Sequence, residues 1–256
     1  MSDRTRAVVA PLALAVVLIG LWQVVVLAAQ WPAFVLPSPS AVVHRLGQDL
    51  TVPATWGYLG TTLAEALGGC LIGALAGLPL AVAIHESTWF SAAANPFLGA
   101  TQAIPAIALA PLLVLWVGYG LLGVMVLCAL MVFFPILVTS LVGLRHVDPD
   151  VVDAARMDGA GRLAHLWWIE LPLALPSALA GLRNGFTLSI TGAVVGEMVM
   201  GGEGLGQVLT VQRDQVDTAG MFSTIILLCT VASLIYTAIR TLERRSKLVG
   251  AQLRDA

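Results

Sequence analysis

Residues 121–144 read LLGVMVLCALMVFFPILVTSLVGL, 24 consecutive positions without one charged side chain. A helix rises ~1.5 Å per residue, so this stretch outreaches the ~30 Å hydrocarbon core of a bilayer. Lipid offers no partners for backbone N–H and C=O groups, and a helix satisfies them internally. Five more stretches of similar character lie around it: Ala7–Ala29, Ala66–Ile84, Pro96–Val117, Pro176–Met200 and Met221–Ile239. Only Pro176–Met200 carries charge, at Arg183 and Glu197. The expected fold is an all-α integral membrane protein with six transmembrane helices, forming a single domain over residues 1–256. Ala7–Ala29 follows Arg4 and Arg6 as a signal peptide would. Its 23 residues exceed the usual apolar region of about 7–15, so an uncleaved first span is expected.

Composition agrees with lipid as the solvent. The chain is 58% hydrophobic and 11% charged, against about a quarter charged in soluble domains, and its mean hydropathy is +0.90. A formal net charge of −2 lacks the surplus of Lys and Arg that nucleic-acid binding needs. Cys70, Cys128 and Cys229 lie far apart inside apolar runs, which is neither a disulfide framework nor a zinc spacing. Orientation follows from the cations. With the N-terminus inside, ten Lys or Arg residues fall in inner segments, and Arg45 and Arg213 alone fall outside. Both termini are therefore expected in the cytoplasm.

The connection from Arg145 to Leu175 is far longer than joining two helices requires. It mixes acidic, basic and aromatic residues, with apolar positions recurring at helical spacing: Val151, Val152, Ala155, then Leu163, Leu166, Trp167. Two short amphipathic helices are expected, the first capped by Asp150, with Gly159 and Gly161 allowing the chain to reverse between them. Such a surface suits docking of a soluble partner; lying flat in the lipid interface is the alternative.

In this loop Asp153-Ala154-Ala155, three residues, Gly159, nine residues and Ile169-Glu170-Leu171-Pro172 resemble the "EAA" loop of binding-protein-dependent ABC importer permeases. The family pattern is Glu-Ala-Ala, then Gly, then Ile-x-Leu-Pro at these spacings. The single departure is Asp153 for Glu, one methylene shorter with the charge kept. Leu36-Pro-Ser-Pro39, the run from Pro105 to Gly120, and Gly196-Glu197 followed by Gly202-Glu-Gly-Leu-Gly206 resemble the sulfonate, taurine, nitrate and thiamine-precursor subgroup. The resemblance implies a type I importer (MetI-like) permease fold in a bacterial cytoplasmic membrane. It also implies two permeases, most simply a homodimer, two copies of an ABC ATPase, and an extracytoplasmic solute-binding protein. Asp153, Ala154, Ala155, Gly159, Ile169, Leu171 and Pro172 would then couple the pore to the ATPase. No cofactor is expected on this chain, because ATP would be bound by the partner.

The residues support that division of labour independently. The one lysine, Lys247, follows Ser246, so no G-x-x-x-x-G-K-[ST] phosphate cradle exists. Neither a catalytic residue nor a metal ligand set is expected. His44, His85, His146 and His165 are read as lying in separate loops. Intramembrane charge is expensive and marks function by default. Glu197 is therefore a candidate for the outer gate, or else a cap for the Gly201–Gly206 loop, and Arg183 is expected to snorkel to the inner interface. Glu65 is expected at the outer interface. Pro105 and Pro111 interrupt the third stretch, as kinks or as part of a gate. Pro172 or Pro176 can begin the fifth span, where a missing N–H costs nothing. An intramembrane serine protease finds no G-x-S-G setting here. A stand-alone secondary carrier would leave the long inner loop without a purpose; dependence of uptake on an ATPase separates the two readings.

Overall fold

The computed structural model describes residues 3–100, 105–157, 159 and 161–245. Among them there are helices and turns and no strand. In order these are α1 (Asp3–Ala29), α2 (Pro39–Thr51), α3 (Pro53–Glu86), α4 (Thr88–Ala100), a 3-10 turn at Ala106–Leu109, and α5 (Ala110–Trp116). Then come α6 (Leu121–Arg145), α7 (Pro149–Met157), α8 (Arg162–His165), a π turn at Leu166–Glu170, α9 (Leu171–Met200), α10 (Leu205–Asp214) and α11 (Thr218–Arg245). Four helices are long and apolar enough to cross a membrane: Pro53–Glu86, Leu121–Arg145, Arg162–Met200 and Thr218–Thr241. Ala13–Ala29 and Ala106–Val117 are shorter apolar helices within the first and third expected stretches.

The core is a three-helix unit of α3, α6 and α9. Small residues make it possible. Gly69, Gly73 and Gly77 repeat every fourth position along α3 and press onto the backbone of α6. A Cβ on Gly73 would lie 3.1 Å from the Ala129 carbonyl oxygen and 2.5 Å from Val132 Cγ2. In lipid no hydrophobic force joins helices, so this close backbone approach and polar links across it carry the association. Ser189 Oγ of α9 donates to the Ala66 carbonyl of α3 at 2.7 Å, and Cys128 Sγ of α6 to the Ser189 carbonyl at 3.4 Å. Ala66, Val124, Val132, Ile136, Phe186 and Ala193 fill the centre.

The surrounding elements depart from the expected boundaries for identifiable reasons. The second span begins well before Ala66, because Pro53 opens a helix that runs on through 34 residues. The third stretch is not one helix. Pro105 adopts an extended backbone (φ −69, ψ 96) and a 3-10 turn and the seven-residue α5 follow it. Pro111 sits in the first turn of α5, where its missing N–H removes nothing. Gly118 and Gly120, at φ +97 and +94, make the tight reversal into α6. The segment α9 begins at Leu171 with Pro172 in its first turn, whereas Pro176 lies inside it.

On the outside of the core, α2 starts at Pro39, capped by Ser38 Oγ accepting from the Ala41 N–H at 3.2 Å. It leans on α11 through Ser223 Oγ donating to Asp49 Oδ2 at 2.6 Å, and through Arg45 paired with Asp217 at 2.9 Å. α1 exposes Leu14, Val16, Val17 and Leu18 and is tied to α11 by Trp22 against Phe222, ring centroids 5.4 Å apart.

Candidate functional site

Of the two short helices expected in this loop, α7 forms as a separate helix, whereas α8 is a four-residue start to the helix that follows. Asp148 Oδ1, not Asp150, accepts the Asp150 N–H at 2.9 Å and so caps α7; Asp150 is already inside the first turn beside Pro149. Asp153 and Ala154 are exposed on α7 and Ala155 is half-buried. Among the described residues Asp153 pairs with its own helix neighbour Arg156, at 3.0 Å. Gly159 has φ +81, a left-handed conformation that turns the chain toward α8 and that a side chain would strain.

After α8 the chain does not stop. The π turn Leu166–Glu170 runs without a break into α9, making one apolar-rich helix from Arg162 to Met200, 39 residues long. Ile169, Leu171 and Pro172 are partly buried along this junction, while Trp167 and Trp168 stand 64% and 82% exposed. With Leu163 and Ala164 they line a shallow groove of ≈ 480 Å³. Met157 at the end of α7 is 90% exposed. This aromatic and aliphatic surface has no partner among the described residues.

The same junction is clamped to the last turn of α3. Arg162 Nε pairs with Glu86 Oε2 at 2.7 Å, and its other nitrogen reaches the Glu86 carbonyl, a cation at a helix C-terminus. His85 Nε2 meets Glu170 Oε2 at 2.9 Å. His85 and His165 therefore do not lie in separate loops. Both are helical, and with Glu86, Arg156, Arg162 and Glu170 they line one cavity of ≈ 540 Å³.

At the far end of α9, Glu197 is 0% exposed. Thr62 Oγ1 of α3 donates to its Oε1 at 2.7 Å, and the Gly206 N–H donates to Oε2. Thr62 Oγ1 in turn accepts the Leu205 N–H at 2.9 Å. The first two N–H groups of α10 are thus met by residues of two other helices. Of the two roles open to Glu197, this geometry is the cap of the glycine loop. Gly204 has no room for a side chain here, since a Cβ on it would collide with Glu197 Oε1. Glu65 is not interfacial: it is 1% exposed, with its carboxyl against that of Glu197. Its position one turn from Thr62 on the inward face of α3 explains this, and only the helix's rotation about its axis could reveal it. Arg183 is half-buried with its guanidinium 5.1 Å above the Tyr236 ring of α11. Pro105 and Pro111 are exposed.

Residues 69–247, which include the second half of α3, all of α6 and α9 and the whole α7–α9 junction, match the family described as binding-protein-dependent transport system inner membrane component. The chain belongs to this family. The permease is 37% identical over 227 residues to the riboflavin transport system permease protein RibX of Chloroflexus aurantiacus, covering 89% of this chain and 85% of that one. It is 34% identical to the formylaminopyrimidine transport permease protein ThiX of Halalkalibacterium halodurans, covering 82% and 84%. It is 30% identical to the taurine transport system permease protein TauC of Escherichia coli, covering 91% and 85%. Its fold is similar to that of a chain in the inward-facing MetNI methionine ABC transporter, with a TM-score of 0.63, 22% identity, and coverage of 71% and 91%. The permease is thus a multi-pass membrane subunit of an ABC importer and not an enzyme; ATP hydrolysis belongs to a partner, and a binding protein brings the solute.

Proposed function

We propose that two copies of this permease form the pore, with six crossings each, both termini in the cytoplasm, and two ATPase subunits seated on α7 and α8. ATP is bound by those subunits and not by this chain. The observation that carries this reading is the unbroken helix from Arg162 to Met200. One end bears the unpartnered Leu163, Trp167 and Trp168 surface, and the other bears Glu197 beneath α10. A push on the exposed end is delivered as rigid-body motion to the capped end, because a helix transmits axial displacement with little loss. Asp153, Ala154, Ala155 and Gly159 form the contact and the turn that receive the push; Ile169, Leu171 and Pro172 join it to the span. Glu197, through its hold on α10, and the interrupted segment around Pro105 and Pro111 take part in the outer gate.

The solute is a small polar organic molecule. Similarity to permeases named for riboflavin and formylaminopyrimidine favours a nitrogen heterocycle; the somewhat lower identity to the taurine permease makes a sulfonate the second reading. Reconstitution in liposomes with the cognate ATPase and binding protein tests the function. Uptake should require ATP and both partners. Uptake by the permease alone, driven by an ion gradient, would establish a secondary carrier instead. A thermal-shift screen of the binding protein against riboflavin, formylaminopyrimidine and taurine separates the solutes.

A further inference from the structure

The cavity between the end of α3 and the α8–α9 junction holds more ligating chemistry than a helix clamp needs. His85, Glu86 and Glu170 each offer one donor atom, and these atoms lie within 4.8 Å of one another. Donors in a tetrahedral zinc shell lie roughly 3.3 Å apart, a spacing that small rotamer adjustments reach from here. Independently, His165 lines the same cavity at 4% exposure with neither ring nitrogen hydrogen-bonded to any described residue. A buried imidazole without a partner is costly unless something occupies the space beside it.

We propose that this cavity binds a divalent transition cation of the zinc type, with His85, Glu86 and Glu170 as ligands and His165, which lines the same cavity outside that group of three, turning in to complete the set. Two imidazoles and two carboxylates select first-row transition metals over magnesium or calcium, which take oxygen donors. The cavity's charges favour a cation over an anion. The side chains of Glu170 and His85 are only 12% and 21% exposed, whereas those of Arg162 and Arg156 are 72% and 67% exposed at the rim. Arg156 is already paired with Asp153. Metal entry displaces the Arg162 guanidinium from Glu86, and an arm so exposed leaves at little cost. The bound ion would cross-link α3, α8 and the start of α9 and stiffen the elbow between them. Binding itself does not depend on the transport reading; only its consequence for coupling does.

The test uses full-length, tag-free permease in detergent, stripped with chelator and titrated with Co²⁺ by visible absorption and with Zn²⁺ by competition against a chromophoric chelator. The expected result is one ion per chain, a Co²⁺ spectrum of low-coordinate nitrogen–oxygen type, and no competition from Mg²⁺ or Ca²⁺ at equal concentration. His85→Ala, His165→Ala and Glu170→Gln should each weaken Zn²⁺ by at least about tenfold, the lower bound seen already for outer-shell partners. His44→Ala and His146→Ala should leave affinity unchanged, and Arg162→Ala should leave it unchanged or tighter. Fewer than one ion per chain, or equal affinity in His85→Ala/His165→Ala, overturns the site. Should that variant not fold, a wild-type Co²⁺ spectrum indistinguishable from the hexaaqua ion does so by itself.

Discussion

Thr62 Oγ1 of α3 stands 2.7 Å from Glu197 Oε1 of α9, across 135 residues of sequence, and the same oxygen accepts the Leu205 N–H that opens α10. One hydroxyl thus joins three helices. Glu197 completes the junction through the Gly206 N–H, so the start of α10 is held by groups it does not itself supply.

Removing that support should loosen α10 before it disturbs the core. Glu197→Ala leaves the buried Gly206 N–H without its acceptor, while the Thr62 hydroxyl can fall back on the Tyr58 carbonyl at 3.2 Å, a cost of about 1–3 kcal/mol. Thermal unfolding of the purified permease should show this loss, and Glu197→Gln should recover part of it. Uptake by Glu197→Ala complexes should fall while the ATPase remains associated; unchanged uptake would remove Glu197 from any part in gating.

Gly73→Val tests the α3–α6 contact. The added Cβ alone would meet the Ala129 carbonyl and Val132, so overpacking should cost about 1–3 kcal/mol. Gly60→Ala lies on the same helix with nothing within 4 Å of the new Cβ, and should be neutral or slightly stabilising through helix propensity. Equal melting temperatures for both variants would contradict the packing described.

At the junction, Trp167→Ala/Trp168→Ala should insert and fold normally, because both side chains face outward. Affinity for the ATPase should drop by about 2 kcal/mol or more, the scale of an aromatic anchor at an interface. Binding of the ATPase to nanodisc-embedded permease measures it.

Gly159→Pro should reach the membrane and assemble, yet lose about tenfold or more of ATP-driven uptake. The proline ring locks φ at about −65°, so it cannot adopt φ +81 and the turn must rearrange and re-aim α8. Normal uptake by this variant would show that the turn is not needed for coupling.

Glu86→Gln weakens the clamp differently. It removes one charge from the Arg162 pair while leaving the backbone carbonyl contact, so stability should change by less than about 1 kcal/mol, as for other exposed pairs. A melting-temperature shift comparable to that of Glu197→Ala would mean the clamp is more deeply structural than its exposure indicates.

The membrane class, the helical fold and the long connection between α6 and α9 were legible in the residues. Apolar length against bilayer thickness is a local property, and so is the 20-residue spacing from Asp153 to Pro172. The cap of α7 was misjudged by two positions, because Asp148 and Asp150 offer the same chemistry on either side of Pro149 and only the backbone decides which is outside the helix. The merging of α8 with α9 was not legible either, since nothing in Leu166–Glu170 distinguishes a π turn from a loop.

From its residues alone this chain reads as a bundle of helices in lipid, with a long acidic, alanine-bearing connection between two of its spans. Tertiary structure alone decided which polar residues meet: Thr62 with Glu197, and His85 and His165 around one cavity. The physical reason is rotational. Hydrophobicity fixes that a segment crosses the bilayer, but the azimuth of each helix is set by glycine-sized contacts with its neighbours, and that azimuth determines whether a carboxylate or imidazole faces water, lipid or another helix.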